Sequence, residues 1–140
     1  MKKIKTILDL IKAVASGDAT HYFLNYAYLT EDEIRTLSKK TGIEIHAKTR
    51  VIASDEIKHA YKRHCNDECP LQWEDFTLIM LITTYYDSVK RGSLCNGLQT
   101  IVYEKLIGDK YFVVEELRTG RRKLAFKTMY KHMAQKKRNV

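Results

Sequence analysis

Two histidines and an arginine fall within one short stretch, Ile57-Lys58-His59-Ala60-Tyr61-Lys62-Arg63-His64, which runs on into Cys65-Asn66-Asp67. The stretch reads as a helix. At about 100° per residue, Ile57, Ala60, Tyr61 and His64 share one side while His59 and Arg63 lie nearly opposite. An imidazole on the apolar side needs a hydrogen-bond partner or a path to water. His64 is therefore either a core histidine tied to a backbone carbonyl or the histidine of a cleft, and both readings stand at this point. The chemistry on offer is proton transfer, because imidazole titrates near neutrality and serves as acid or base.

The elements that must position these groups follow from the pattern of the chain. Ile4, Ile7, Leu8, Leu10, Ile11 and Val14 recur at helical spacing, and Ser16-Gly17-Asp18 stops that helix. Ala19 to Leu29 is aromatic-rich and ambiguous between helix and strand. Thr30-Glu31-Asp32-Glu33 is a capping-box pattern that opens a helix ended by Gly42. Ile43 to Ala53 is β-branched and reads as an extended connection or edge strand, after which Ser54 caps the histidine helix. Pro70 precedes Trp73-Glu74-Asp75-Phe76, which starts another helix running to about Ile82.

From Tyr85 onward the apolar period becomes two. Tyr85 to Val89, Leu98 to Leu106, Tyr111 to Leu117 and Arg122 to Thr128 form an antiparallel meander, with turns at Arg91-Gly92 to Asn96-Gly97, Gly108-Asp109 and Thr119-Gly120. Thr128 lies in phase with Leu124 and Phe126. A two-residue Thr119-Gly120 turn pairs it with Tyr111, on a face shared with Val113 and Glu115. A two-residue Gly108-Asp109 turn sends Lys105 to the opposite face. A three-residue Ile107-Gly108-Asp109 turn brings Lys105 and Tyr103 beside Thr128 instead, and the sequence leaves both open.

With 140 residues, 44% hydrophobic and 30% charged, the chain is one domain with a real core. No apolar run reaches bilayer length and no signal peptide is recognisable, so a cytoplasmic site and no membrane anchor are expected. Cys65, Cys69 and Cys95 cannot all pair within one chain. Cys65, Cys69 and His64 lack a fourth ligand at the usual separation, so no metal and no cofactor is expected. The net charge of +8 is concentrated. After Glu116 nine residues are basic and none is acidic: Arg118, Arg121, Arg122, Lys123, Lys127, Lys131, Lys136, Lys137 and Arg138. Such asymmetry is the footprint of a polyanion-binding surface, or else of a solvated tail.

Val51-Ile52-Ala53-Ser54 through His59 and Arg63-His64, then Trp73-Glu74-Asp75-Phe76, Val102-Tyr103-Glu104-Lys105, Tyr111 to Glu115 and Leu124 to Tyr130 are, in that order, similar to a phage-type nuclease family. That family belongs to the barnase, EndoU, colicin and RelE group of RNase-like folds. The similarity covers about residues 24–131, leaving 1–23 as a helical extension and 132–140 as a basic tail. It departs where a glycine is expected after the Arg-His pair and Cys65 stands instead.

The resemblance implies an α+β fold with helices on one face of a four-stranded antiparallel sheet. It also implies RNA cleavage without a metal, in which the ribose 2′-hydroxyl attacks the adjacent phosphate. His64 is then the expected proton-transfer residue, with Thr128 and Lys105 facing the phosphate. His59 and Arg63 rank below them, and Glu115 is an outside candidate for a base. Lys127, Tyr130, Lys131 and Tyr103 are the expected substrate contacts. RNA is the expected partner, and a phage effector or toxin role would bring an immunity or antitoxin protein. The alternative is a binding module for RNA or protein that keeps the fold without the chemistry.

Overall fold

The computed structural model describes residues 1–134, so Lys136, Lys137 and Arg138 of the cationic block lie outside the described residues. The elements in chain order are β1 (Lys2–Lys3), α1 (Ile7–Ala15), β2 (Tyr22–Tyr28), α2 (Glu31–Thr41), β3 (Thr49–Ala53) and α3 (Ser54–His64). A 3-10 helix (Trp73–Leu78) then leads into α4 (Ile79–Thr84), β4 (Ser88–Cys95), β5 (Leu98–Ile107), β6 (Asp109–Arg118) and β7 (Lys123–His132). Among the described residues the strands form one seven-stranded mixed sheet, ordered β1-β2-β3-β7-β6-β5-β4.

The sheet corrects the four-stranded antiparallel expectation. The meander exists as β4 to β7, but β3 adds to it parallel to β7, and β2 and β1 extend the sheet beyond. The expected edge strand is thus internal. The amino-terminal segment is part of the same body: β1 pairs with β2, and Leu10, Ile11 and Val14 of α1 join the core. One apolar cluster links the inward faces of the helices to Ile101, Tyr103, Val113, Phe126 and Met129 of the strands. The outer face of the meander carries partly exposed Val102, Phe112, Val114 and Tyr130.

Local chemistry explains most element ends. Thr30 Oγ1 accepts from the Glu33 amide while Glu33 reaches back to the Thr30 amide, and Gly42 closes α2 at φ 70°, where a Cβ is costly. Replacing Thr30 with alanine is expected to cost about 1 kcal/mol in urea denaturation, the usual worth of such a cap. Ser54 is not a cap: its Oγ accepts from the Tyr22 amide and so ties the start of α3 to β2. Asn96-Gly97 is the β4 to β5 turn, whereas Arg91-Gly92 lies inside β4, where a Cβ on residue 92 would collide with Thr100 Oγ1 of the neighbouring strand.

The register of β7 decides where the site lies. The β6 to β7 connection is longer than two residues, a 3-10 turn over Thr119–Arg121 followed by Arg122 at φ 56°. It pairs Glu115 with Phe126 and Leu117 with Leu124, a two-residue shift that leaves Leu124 and Phe126 on their expected face. A bulge then intervenes. Val114 pairs with Thr128, so Lys127 is the extra residue, and Thr128 turns to the outer face. The Gly108 turn pairs Leu106 with Lys110 and Lys105 with Tyr111, which puts Lys105 and Tyr103 on the inner face. Lys105 and Thr128 therefore do not meet.

Candidate active site between α3 and β7

β3 accompanies β7 only from Thr49↔Lys123 to Val51↔Ala125. The chain then turns away at Ala53 into α3, which packs beside the remainder of β7. A cleft of about 540 Å³ lies between them, lined by Glu56, His59, Ala60, Lys62 and Arg63 from the helix and Lys127 and Thr128 from the bulged strand. Glu56, His59 and Arg63 stand at positions i, i+3 and i+7, the spacing that aligns side chains on one helix stripe. That stripe is the one the helical wheel sets away from the core; it faces the flank of the sheet.

The cleft is cationic and under-compensated. Lys62 and Arg63 have no ion-pair partner among the described residues, and Lys127 Nζ lies 3.8 Å from Glu116 Oε2. Thr128 Oγ1 is buried and has no hydrogen-bond partner among the described residues. Leaving a buried hydroxyl unsatisfied costs about 1–3 kcal/mol, which a ligand oxygen would offset. A turn of about 120° about χ1 carries a threonine hydroxyl to another staggered position, into the place of its methyl or its hydrogen.

His64 occupies a different place. Its side chain is 17% exposed, its Nδ1 is 2.6 Å from Asp67 Oδ2, and its ring centroid is 5.4 Å from that of Tyr130. It stands one position past Arg63, beyond the cleft lining. Tyr130 stacks on Phe112 at 5.0 Å, and burial followed by the charge of Glu104 holds its phenol above the usual range, so it stays a neutral donor. Of the other candidates, Lys105 Nζ donates to the Tyr85 carbonyl at 2.6 Å and pairs with Asp87 at 3.5 Å. Lys131 is buried in an ion pair with Asp75 at 3.0 Å, and Tyr103 is fully buried.

Glu115 is also interior. It pairs with Arg50 and accepts from Tyr103 at 2.6 Å and Tyr26 at 3.2 Å. The structure thus brings His59, Arg63, Lys127 and Thr128 together and leaves His64, Lys105, Lys131 and Tyr103 elsewhere. Glu56 and Lys62 are cleft residues that the sequence does not single out; the spacing Glu56-x-x-His59-x-x-x-Arg63 groups Glu56 with the stripe, whereas no such spacing points to Lys62. Among the described residues no three His, Cys, Asp or Glu side chains are grouped to hold a metal ion.

Fold and cleft define a class: an α+β protein that presents carboxylate, imidazole, hydroxyl and several cations to a single hollow, as enzymes that cut phosphodiesters do. Over residues 29–139 the chain matches the family described as phage-Barnase-EndoU-ColicinE5/D-RelE like nuclease3, and it belongs to that family. Membership makes nucleic acid the substrate class. No curated protein and no solved structure matches the chain. No helix of the described residues is long and apolar enough to cross a membrane.

Proposed function

We propose that this nuclease is an endoribonuclease that cuts RNA without a metal, by attack of a ribose 2′-hydroxyl on the adjacent phosphorus, within the α3 to β7 cleft. The single observation that carries the reading is that Glu56, His59, Arg63 and Lys127 line one cleft with Thr128, whose buried oxygen has no partner among the described residues. Each step of the reaction has a residue of suitable chemistry there.

Glu56 accepts the proton of the 2′-hydroxyl as the 2′-oxygen bonds to phosphorus. His59, one helical turn on, donates a proton to the 5′-oxygen as its bond to phosphorus breaks, leaving a cyclic phosphate and a free 5′-hydroxyl. Arg63, Lys62 and Lys127 offset the negative charge that gathers on the non-bridging oxygens, and the Thr128 hydroxyl donates to one of them. An effector or toxin role, with an immunity or antitoxin partner, would follow from this activity rather than from any separate feature of the chain.

The test is cleavage of RNA by the pure protein in EDTA, with products checked for a 2′,3′-cyclic phosphate end. Thr128→Val preserves shape and removes the hydroxyl; it is expected to lower kcat by about 10- to 100-fold, given roughly 1.5–3 kcal/mol for a hydrogen bond to a charged group. Cleavage that requires a divalent ion, or a Thr128→Val protein as active as the parent, would count against the proposal. Salt-sensitive RNA binding with no cut in any RNA would indicate a binding module of the same fold.

A further inference from the structure

Beyond Glu56 the cleft is continued by a second hollow of about 270 Å³, which Glu56 also lines. Its floor is apolar, with Phe23, Ala53 and Ala125, and Arg121 and Lys123 stand at its rim. Lys123 Nζ is held 6.0 Å from the centroid of the Phe23 ring and 3.2 Å from Asn25 Oδ1. In the other direction along β7, Tyr130 and His132 meet Phe112 of β6 in a cluster of rings with centroids 5.0 to 5.5 Å apart. The hollow, the Thr128 cleft and the rings thus follow one another along a single strand. From Ala125 to Tyr130 the track measures on the order of 17 Å at the usual rise per residue.

An apolar slot with a few charged groups at its mouth suits a planar heterocycle carrying a phosphate. Partly exposed aromatic rings beside cations suit a second one, by stacking. We infer that the substrate is unpaired RNA lying along β7, with the base 5′ to the cut seated in the hollow behind Glu56 and the base 3′ to it stacked on the Tyr130 and Phe112 rings. This inference rests on the ribonuclease reading of the cleft. The polarity follows from it: the nucleotide whose 2′-hydroxyl gives its proton to Glu56 is the 5′ one, and the hollow opens on the Glu56 side. A base within a duplex has its faces stacked and its pairing edge occupied, so it cannot enter such a slot without being extruded.

The experiment measures binding apart from cleavage, by fluorescence anisotropy with a short mixed-sequence RNA. Its riboses are 2′-O-methylated, so that no attack can occur. Unpaired RNA is expected to bind about tenfold or more tightly than the same strand annealed to its complement. Ala53→Leu, which fills the hollow, and Tyr130→Ala, which removes a ring, are each expected to weaken binding by about tenfold. With unmodified RNA, Ala53→Leu is also expected to change the base preferred 5′ to the cut.

Arg121 and His132 are exposed, so Arg121→Ala and His132→Ala probe the same two places without disturbing the interior. Duplex bound as tightly as single strand, or all four variants binding like the parent, would overturn the inference. The two proposals fail separately. RNA cut normally by all four variants sinks the assignment of these subsites alone, whereas tight, variant-sensitive binding without any cleavage sinks the ribonuclease reading and leaves the track in place.

Discussion

His59→Ala is expected to lower kcat for RNA cleavage by about 10²- to 10⁴-fold, the usual contribution of a positioned acid or base, with little change in the affinity for uncleavable RNA. The expectation comes from position. His59 is exposed, lines the cleft with Thr128, and makes no hydrogen bond among the described residues, so its ring is available to a substrate. His64→Ala is expected to cost far less in kcat, because Asp67 already holds that imidazole and the cleft lies on the other side of Arg63. Parallel single-turnover assays of the two variants, each checked by thermal melting, decide between the histidines. Full activity in His59→Ala with loss in His64→Ala would move the proton-transfer role to the Tyr130 end of the strand. Glu56→Gln belongs in the same series, and an unaffected rate there would remove the proposed base.

The two histidines show where the sequence was legible and where it was not. The helix, its stripe and its neighbours could be read from periodicity, and so could the α2 capping box, the Asn96-Gly97 and Gly108 turns and the last three strands of the meander, whereas the first, expected over Tyr85 to Val89, is Ser88–Cys95 and runs through the expected Arg91-Gly92 turn. These depend on residues a few positions apart. What the stripe faces depends on residues far away in the chain. The parallel pairing of β3 with β7 joins Val51 to Ala125 across long sequence separation, and only that pairing stations α3 along the free side of β7. Without it, His59 and Arg63 look like a solvated face.

The bulge at Lys127 is the second hidden step. Leu124, Phe126 and Thr128 alternate without a break, so nothing in their spacing announces that the threonine turns outward. Arg50 was concealed for a similar reason: an arginine in a β-branched run reads as an edge charge, yet it is 2% exposed beneath a sheet that continues on both sides of β3. Glu115 could be placed on the inner face from alternation alone. Its partner could not.

Breaking that buried pair is expected to have the largest effect on stability of any single change, with Glu115→Leu losing about 3–5 kcal/mol in urea denaturation. Arg50 of β3 and Glu115 of β6 meet on the inner face across the intervening β7. Arg50 also donates to Tyr103 Oη at 3.0 Å and to the Thr83 carbonyl at 3.2 Å, which ties β5 and α4 to the same guanidinium. Tyr26 reaches Glu115 from a bulge in β2. Burial opposes the charge on Arg50, but Glu115 more than offsets it and holds the guanidinium firmly protonated.

Removing the carboxylate strands that cation in the interior, and the loss is a large share of the roughly 5–15 kcal/mol that holds a domain folded. The double variant Arg50→Met with Glu115→Leu is expected to recover most of it, because no buried charge is left unpaired. Equal losses in the single and double variants would show that packing around the pair, not its charge, is what matters. The phenols of Tyr26 and Tyr103 give a pH signature of the same network. Burial, then the Glu115 charge, raises both well above their ordinary value, so the folded chain keeps them protonated while the unfolded chain releases the protons near pH 10. Their contribution is fully present below about pH 10 and is lost as the pH climbs above it, so the urea midpoint is expected to fall on the alkaline side. Tyr103→Phe, which keeps the ring and lacks the titrating oxygen, is expected to flatten that fall.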